Sequence, residues 1–172
     1  LSNTNTINNG SLHSIFMGCS KLKSVKLKNF RTDKVTVMTN MFNGCESLKS
    51  LDVSSFNTEN VISMSSMFNS CKLLTSLDLS SFDTKNVITL NSMFHSCKNL
   101  TSLDLLHFNT SKVTDMSAAF IHCKGLKTLK ISNWDTSKVT NFAYTFQECM
   151  ALEELNIARW DTSSATDMQA MF

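Results

Sequence analysis

The chain has 172 residues, 42% of them hydrophobic, and a formal net charge of +2: enough apolar matter for a continuous core, and too little charge bias to indicate a nucleic-acid or anionic-membrane partner. It shows no secretory apolar region, no stretch able to span a bilayer and no lipidation motif. Proline is absent, and the six cysteines, Cys19, Cys45, Cys71, Cys97, Cys123 and Cys149, stand 26 residues apart without a break.

Other columns keep the same interval: Phe16, Phe42, Phe68, Phe94, Phe120, Phe146 and Phe172 in one, and Phe30, Phe56, Phe82, Phe108, Trp134 and Trp160 in another. A fixed period held by several apolar columns is the mark of a solenoid, in which length counts repeats. The reading is one array over 1–172, with five full repeats starting at 22, 48, 74, 100 and 126 and partial ones at 1–21 and 152–172. Starting on Leu1 and stopping at Met171-Phe172 in mid-repeat, it is expected to be a fragment of a longer array.

In chain order, each repeat opens with a period-two segment such as Leu51-Asp52-Val53, Leu77-Asp78-Leu79 or Leu103-Asp104-Leu105. This predicts a short strand with the apolar pair inward and the middle residue in solvent. An aromatic–Asx–Thr triplet follows, as in Phe56-Asn57-Thr58 and Trp134-Asp135-Thr136, whose polar side chains suit the free amides of a turn or helix start. Arg31 breaks the Asx column in the first coil. From Val61 the apolar residues continue at Met64, Met67, Phe68 and Cys71, tracing one face of a short helix that would serve as the crossover between parallel strands. Ser, Asn and Thr are frequent there and are weak helix formers, so a second short strand over 61–64 is the alternative. The expected fold is therefore an α/β repeat, a leucine-rich-repeat-like solenoid of 26-residue coils, each a short parallel strand plus a short helix.

The string Leu77-Asp78-Leu79-Ser80-Ser81-Phe82-Asp83-Thr84-Lys85-Asn86-Val87, followed by Met93-Phe94 and Cys97, resembles the BspA-like leucine-rich repeats of bacterial surface proteins, in particular the form found in mycoplasma surface lipoproteins. The resemblance covers the chain from about Leu12 onward. Thr4 and Asn9 replace the aromatic and the valine of the repeat, so the first half-coil is degenerate. The resemblance implies an extracellular or surface-anchored bacterial protein that adheres to host or neighbouring cells, with no catalysis and no cofactor.

One cysteine per coil lacks the clustering of a zinc site. Disulfides between coils are harder to dismiss, because stacked strands lie roughly 4.8 Å apart, within the Cα separation a bridge needs; a buried ladder of free thiols is the favoured reading. The methionine columns Met38, Met64, Met116 and Met41, Met67, Met93 read as core rather than as a binding groove. The threonine column from Thr32 to Thr162 reads as capping rather than as a flat ice-binding face. His13, His95, His107 and His122 form no column and no catalytic pairing. Sequons at Asn9, Asn99 and Asn109 are short enough to arise by chance.

The candidate partner-binding face is the solvent-facing strand column Lys26, Asp52, Asp78, Asp104, Lys130 and Asn156, flanked by the small polar column Ser24, Ser50, Ser76, Ser102, Thr128 and Glu154. Like charges opposite one another on neighbouring strands are destabilising, so backbone amides, a cation or a basic partner should compensate the three aspartates. Lys21, Lys23, Lys26, Lys28, Arg31 and Lys34 add a basic cluster, a solvated face or a site for an acidic glycan. The expectation is a non-enzymatic adhesion or protein-interaction module that binds a protein or glycan on host or neighbouring cells through the strand face. The alternative is a structural spacer or filament element with end-to-end self-association.

Overall fold

Tight-turn bonds inside each coil and bonds to the adjacent coil together build the computed structural model, which describes residues 10–172; Thr4 and Asn9 lie outside the described residues. Parallel bridges join Ser11 to Val37, Val37 to Ser63, Ser63 to Thr89, Thr89 to Asp115, Asp115 to Asn141 and Asn141 to Asp167. Each step is one coil, so the described chain is a right-through stack with every residue above its own column.

The inside of the stack is filled by the periodic apolar residues. Phe42, Phe68, Met64, Met67, Leu48 and Leu74 are fully buried, and so are the methionine columns and the four middle cysteines. Neighbouring phenylalanines stack face to face, Phe42 on Phe68 with centroids 5.9 Å apart and Phe94 on Phe120 at 5.4 Å, inside the range where aromatic pairs attract beyond their buried area. The second aromatic column closes the far side of each coil, and Trp134 Nε1 donates to Leu105 O at 3.0 Å, satisfying the one polar atom it carries inward.

The predicted helix is not there. Among the described residues no helix forms, and the only assigned strands are β1 (Ser102–Asp104) and β2 (Thr128–Lys130), paired in parallel with Asp104 opposite Lys130. The segment Val61–Cys71 is instead a run of tight turns. Met67 N donates to Met64 O and Cys71 N to Phe68 O, both at 3.1 Å, and the third residue of each turn, Ser66 and Ser70, sits at left-handed φ of 55° and 58°. The same two positions are left-handed in the other coils, at Asn40 and Gly44, Ser92 and Ser96, Ala118 and His122, Tyr144 and Glu148.

This conformation has a reason. With a left-handed residue at every fourth position, alternate amides point along the stack axis: Ser66 N, Phe68 N and Ser70 N bond to Asn91 O, Met93 O and His95 O of the next coil at 2.9, 3.0 and 2.7 Å, while Met67 N and Asn69 N close turns within the coil. A helix would spend the Ser66, Phe68 and Ser70 amides within one coil; the turns spend them on the neighbour. The apolar spacing serves either geometry, which is why it pointed to a helix. The alternative, a second short strand over 61–64, is not assigned either: the pairing there is one isolated parallel bridge per coil, at Ser63 and its equivalents.

Candidate functional site

The side of the stack opposite the turn ladder carries the polar strand column. Lys26, Asp52, Asp78, Asp104, Lys130 and Asn156 are all exposed, whereas Leu51, Val53, Leu77, Leu79, Leu103 and Leu105 on either side of the aspartates are buried. The period-two reading of these residues therefore holds, although a strand is assigned in only two coils. Bonds on this side are fewer and longer, such as Thr101 N to Thr75 O at 3.4 Å.

Charge accompanies that difference. The one assigned strand pair is also the one step of the row closed by an ion pair, Lys130 Nζ to Asp104 Oδ2 at 2.9 Å. Where aspartate stacks on aspartate, at 52, 78 and 104, no strand pairing forms, as like charges in opposed positions would lead one to expect.

Each aspartate is held by the turn that follows it. Asp52 Oδ1 accepts from Ser54 N at 3.0 Å and Ser54 Oγ at 2.6 Å, Asp78 Oδ1 from Ser80 N at 2.9 Å, and Asp104 Oδ1 from Leu106 N at 3.3 Å. These bonds lower the carboxyl pKa: the Ser54 hydroxyl and amide at Asp52, the Ser80 amide and hydroxyl at Asp78, and the Lys130 ammonium ahead of the Leu106 amide at Asp104. Backbone amides thus supply the compensation the row requires, and the carboxylates stay ionised and outward-facing. A shallow cavity of about 290 Å³ lies between the coils here, lined by Ser76, Leu77, Asp78, Leu79, Ser102 and Asp104.

The basic cluster is exposed throughout, and among the described residues its one ion pair is Arg31 with Asp33 at 2.7 Å. The cysteines are free, and those from Cys45 to Cys149 donate Sγ–H to the carbonyl of the phenylalanine 29 residues earlier, Cys71 to Phe42 O at 3.4 Å and Cys123 to Phe94 O at 3.0 Å. Burial raises their pKa, to about 11 at Cys45 and Cys149 and further inside the ladder. Among the described residues no group of three or more His, Cys, Asp or Glu is placed to hold a metal ion, and no helix is long and apolar enough to cross a membrane.

One grouping escaped the sequence. His95 and His122 are 27 rather than 26 residues apart, so they fall in different columns, yet their rings lie 5.5 Å apart, with His122 Nδ1 3.0 Å from Glu148. Burial, then the neighbouring His122, lowers the pKa of His95. A scan for exact periods cannot find a pair offset by one.

Fold and face together define a leucine-rich-repeat solenoid. The chain resembles a leucine-rich repeat protein of T. pallidum (TM-score 0.55, 21% identity, covering 84% of this chain and 60% of that one) and one of Eubacterium ventriosum ATCC 27560 (TM-score 0.50, 19% identity, covering 80% and 42%). It thus spans well under the full length of either. The family described as "Mycoplasma protein of unknown function, DUF285" matches residues 10–104 and 99–172, and the chain belongs to that family. Family and fold together bear out the BspA-like resemblance read from the repeat. A search of curated proteins finds no match.

Proposed function

We propose that this array is a non-enzymatic, cell-surface interaction module that binds a protein or glycan on host or neighbouring cells through the strand face. The observation that carries the reading is the row itself: Lys26, Asp52, Asp78, Asp104, Lys130 and Asn156, exposed in successive coils on one side of a rigid stack. Solenoids bind by adding small contacts along such a surface. The flanking Ser24, Ser50, Ser76, Ser102, Thr128 and Glu154 are exposed too, and small side chains in most of that column leave room for a partner to reach the carboxylates.

The reading is tested by screening the folded chain against extracellular-matrix proteins and glycans beside an Asp52→Lys/Asp78→Lys/Asp104→Lys variant whose thermal melt has been checked. Saturable binding lost in the variant is the expected result. Binding that survives the triple reversal removes this face from the account.

A further inference from the structure

His95 and His122 break the columns they stand in. The equivalents of His95 are Asn43, Asn69, Ile121 and Gln147, and those of His122 are Gly44, Ser70, Ser96 and Glu148. Among these described residues neither column holds another side chain that becomes a cation on taking up a proton. Both rings belong to the turn ladder inside the array, with His122 at a left-handed φ of 60° in the coil after His95. Their centroids are 5.5 Å apart, and the ring planes meet at 42°.

The two rings have unequal surroundings. His122 Nδ1 is closed to solvent and lies 3.0 Å from Glu148 Oε2, a carboxylate oxygen that Lys124 also reaches at 2.8 Å. A proton on His122 therefore meets a counter-charge. Among the described residues His95 has none: its Nδ1 lies 3.4 Å from the side-chain nitrogen of Asn69, and the charge that acts on it is that of His122. Lys98, on the same coil, is exposed and adds only positive charge, while the inward thiols of Cys97 and Cys123 stay neutral because burial raises their pKa.

Around the pair the coils are joined by backbone bonds. Phe94 N and Ser96 N donate to Ala119 O and Ile121 O at 2.9 and 2.8 Å, and His122 N carries the ladder on to Gln147 O at 2.8 Å. A second positive charge between the rings acts directly on this joint, because like charges in partly buried surroundings are poorly screened.

From this geometry we infer that the His95–His122 pair is an acid-sensitive joint: with both rings protonated the two coils repel where their turn ladders meet, and this step of the stack loosens before the rest. Burial, then His122, holds the pKa of His95 below its ordinary 6.5. The unfolded chain takes up this proton at a higher pH than the folded one. The stability that His95 contributes is therefore complete above pH 6.5 and is lost as pH falls through the lowered value. The strand face plays no part in this device.

The test is thermal unfolding between about pH 7.5 and about pH 5.5, where histidine titrates, with NMR titration of the rings, on the unaltered chain, His95→Asn and His122→Ser. Each variant carries the residue that other coils hold at that place, Asn43 and Asn69 or Ser70 and Ser96. Should His95→Asn fail to fold, His95→Gln, after Gln147, replaces it. On acidification the unaltered chain should lose more melting temperature than His95→Asn, since His13, His107 and the carboxylates titrate in both and cancel. The His95 ring should titrate below 6.5 and move upward in His122→Ser. Amide-exchange protection should fall first at Phe94 and Ser96, whose bonds cross the joint. Equal pH dependence in His95→Asn, a His95 midpoint at or above 6.5 or unmoved by His122→Ser, or a uniform loss of protection along the stack overturns the inference.

Discussion

The hydroxyl of Thr84 donates to Asn109 O at 3.1 Å and accepts from Asn109 N at 2.8 Å, so one buried side chain satisfies both backbone groups of a residue in the next coil. The hydroxyls of Thr32, Thr58, Thr110 and Thr136 likewise donate to the carbonyls of Asn57, Asp83, Asp135 and Asp161. The Asx residue of each triplet meanwhile caps its own turn, as when Asp83 Oδ1 accepts from Lys85 N at 3.0 Å. From Thr32 to Thr136 the threonine column is therefore a line of bolts between coils, closed to solvent at 1–3% exposure, and the ice-binding alternative falls for those five; Thr162, in the last partial coil, is exposed.

Replacing that bolt should be costly. Thr84→Val keeps the shape and removes two part-buried hydrogen bonds to the Asn109 backbone, a loss of about 1–3 kcal/mol. Thermal unfolding should shift down by several degrees, with Thr84→Ser recovering much of it. An unshifted melt would show that water or relaxation replaces the bond.

The left-handed turn residues make an opposite prediction. Ala118 sits at φ 56°, where a Cβ is disfavoured by roughly 1–2 kcal/mol, and its methyl is not part of the buried core. Ala118→Gly should therefore raise stability, by about 1 kcal/mol before the added freedom of glycine in the unfolded chain is subtracted. A fall in denaturant midpoint would mean that the turn is not left-handed there, and would reopen the helix.

Thiol chemistry should report the stack in order. Cys19 is exposed, Cys149 partly buried, and Cys45, Cys71, Cys97 and Cys123 buried. Only the thiolate reacts, and burial suppresses it along the ladder. Alkylation near pH 8 should label Cys19 promptly and Cys149 slowly, with the four inner thiols modified only on unfolding. Prompt loss of several thiols together would contradict the packed interior.

The 26-residue period, the aromatic and cysteine columns, the buried methionines, the Asx caps and the exposed row from Lys26 to Asn156 could all be read from residue types and spacing, whereas the threonines, read as caps, bond to the next coil instead. They depend on which residues face inward, and in a stack with one residue per column that is a property of the repeat. The helical half misled because Val61, Met64, Met67, Phe68 and Cys71 bury equally well on a helix and on stacked turns. Periodicity reports which side chains go in; it does not report where the amides go. The serines and asparagines at positions such as 40, 66, 70, 92 and 96 were the available signal, since small polar residues suit tight turns better than a helix.

The sequence alone thus determined that the chain is a solenoid of the leucine-rich-repeat kind and which columns it buries, because burial follows from a period of apolar residues. Only the tertiary structure decided the rest: that alternate backbone amides of the turn segment bond to the next coil, that His95 meets His122 across a one-residue offset, and that Lys130 closes on Asp104 while Asp52 and Asp78 have no ion pair among the described residues. Those outcomes depend on where donors and charges lie once neighbouring coils are in contact, a relation no single repeat contains.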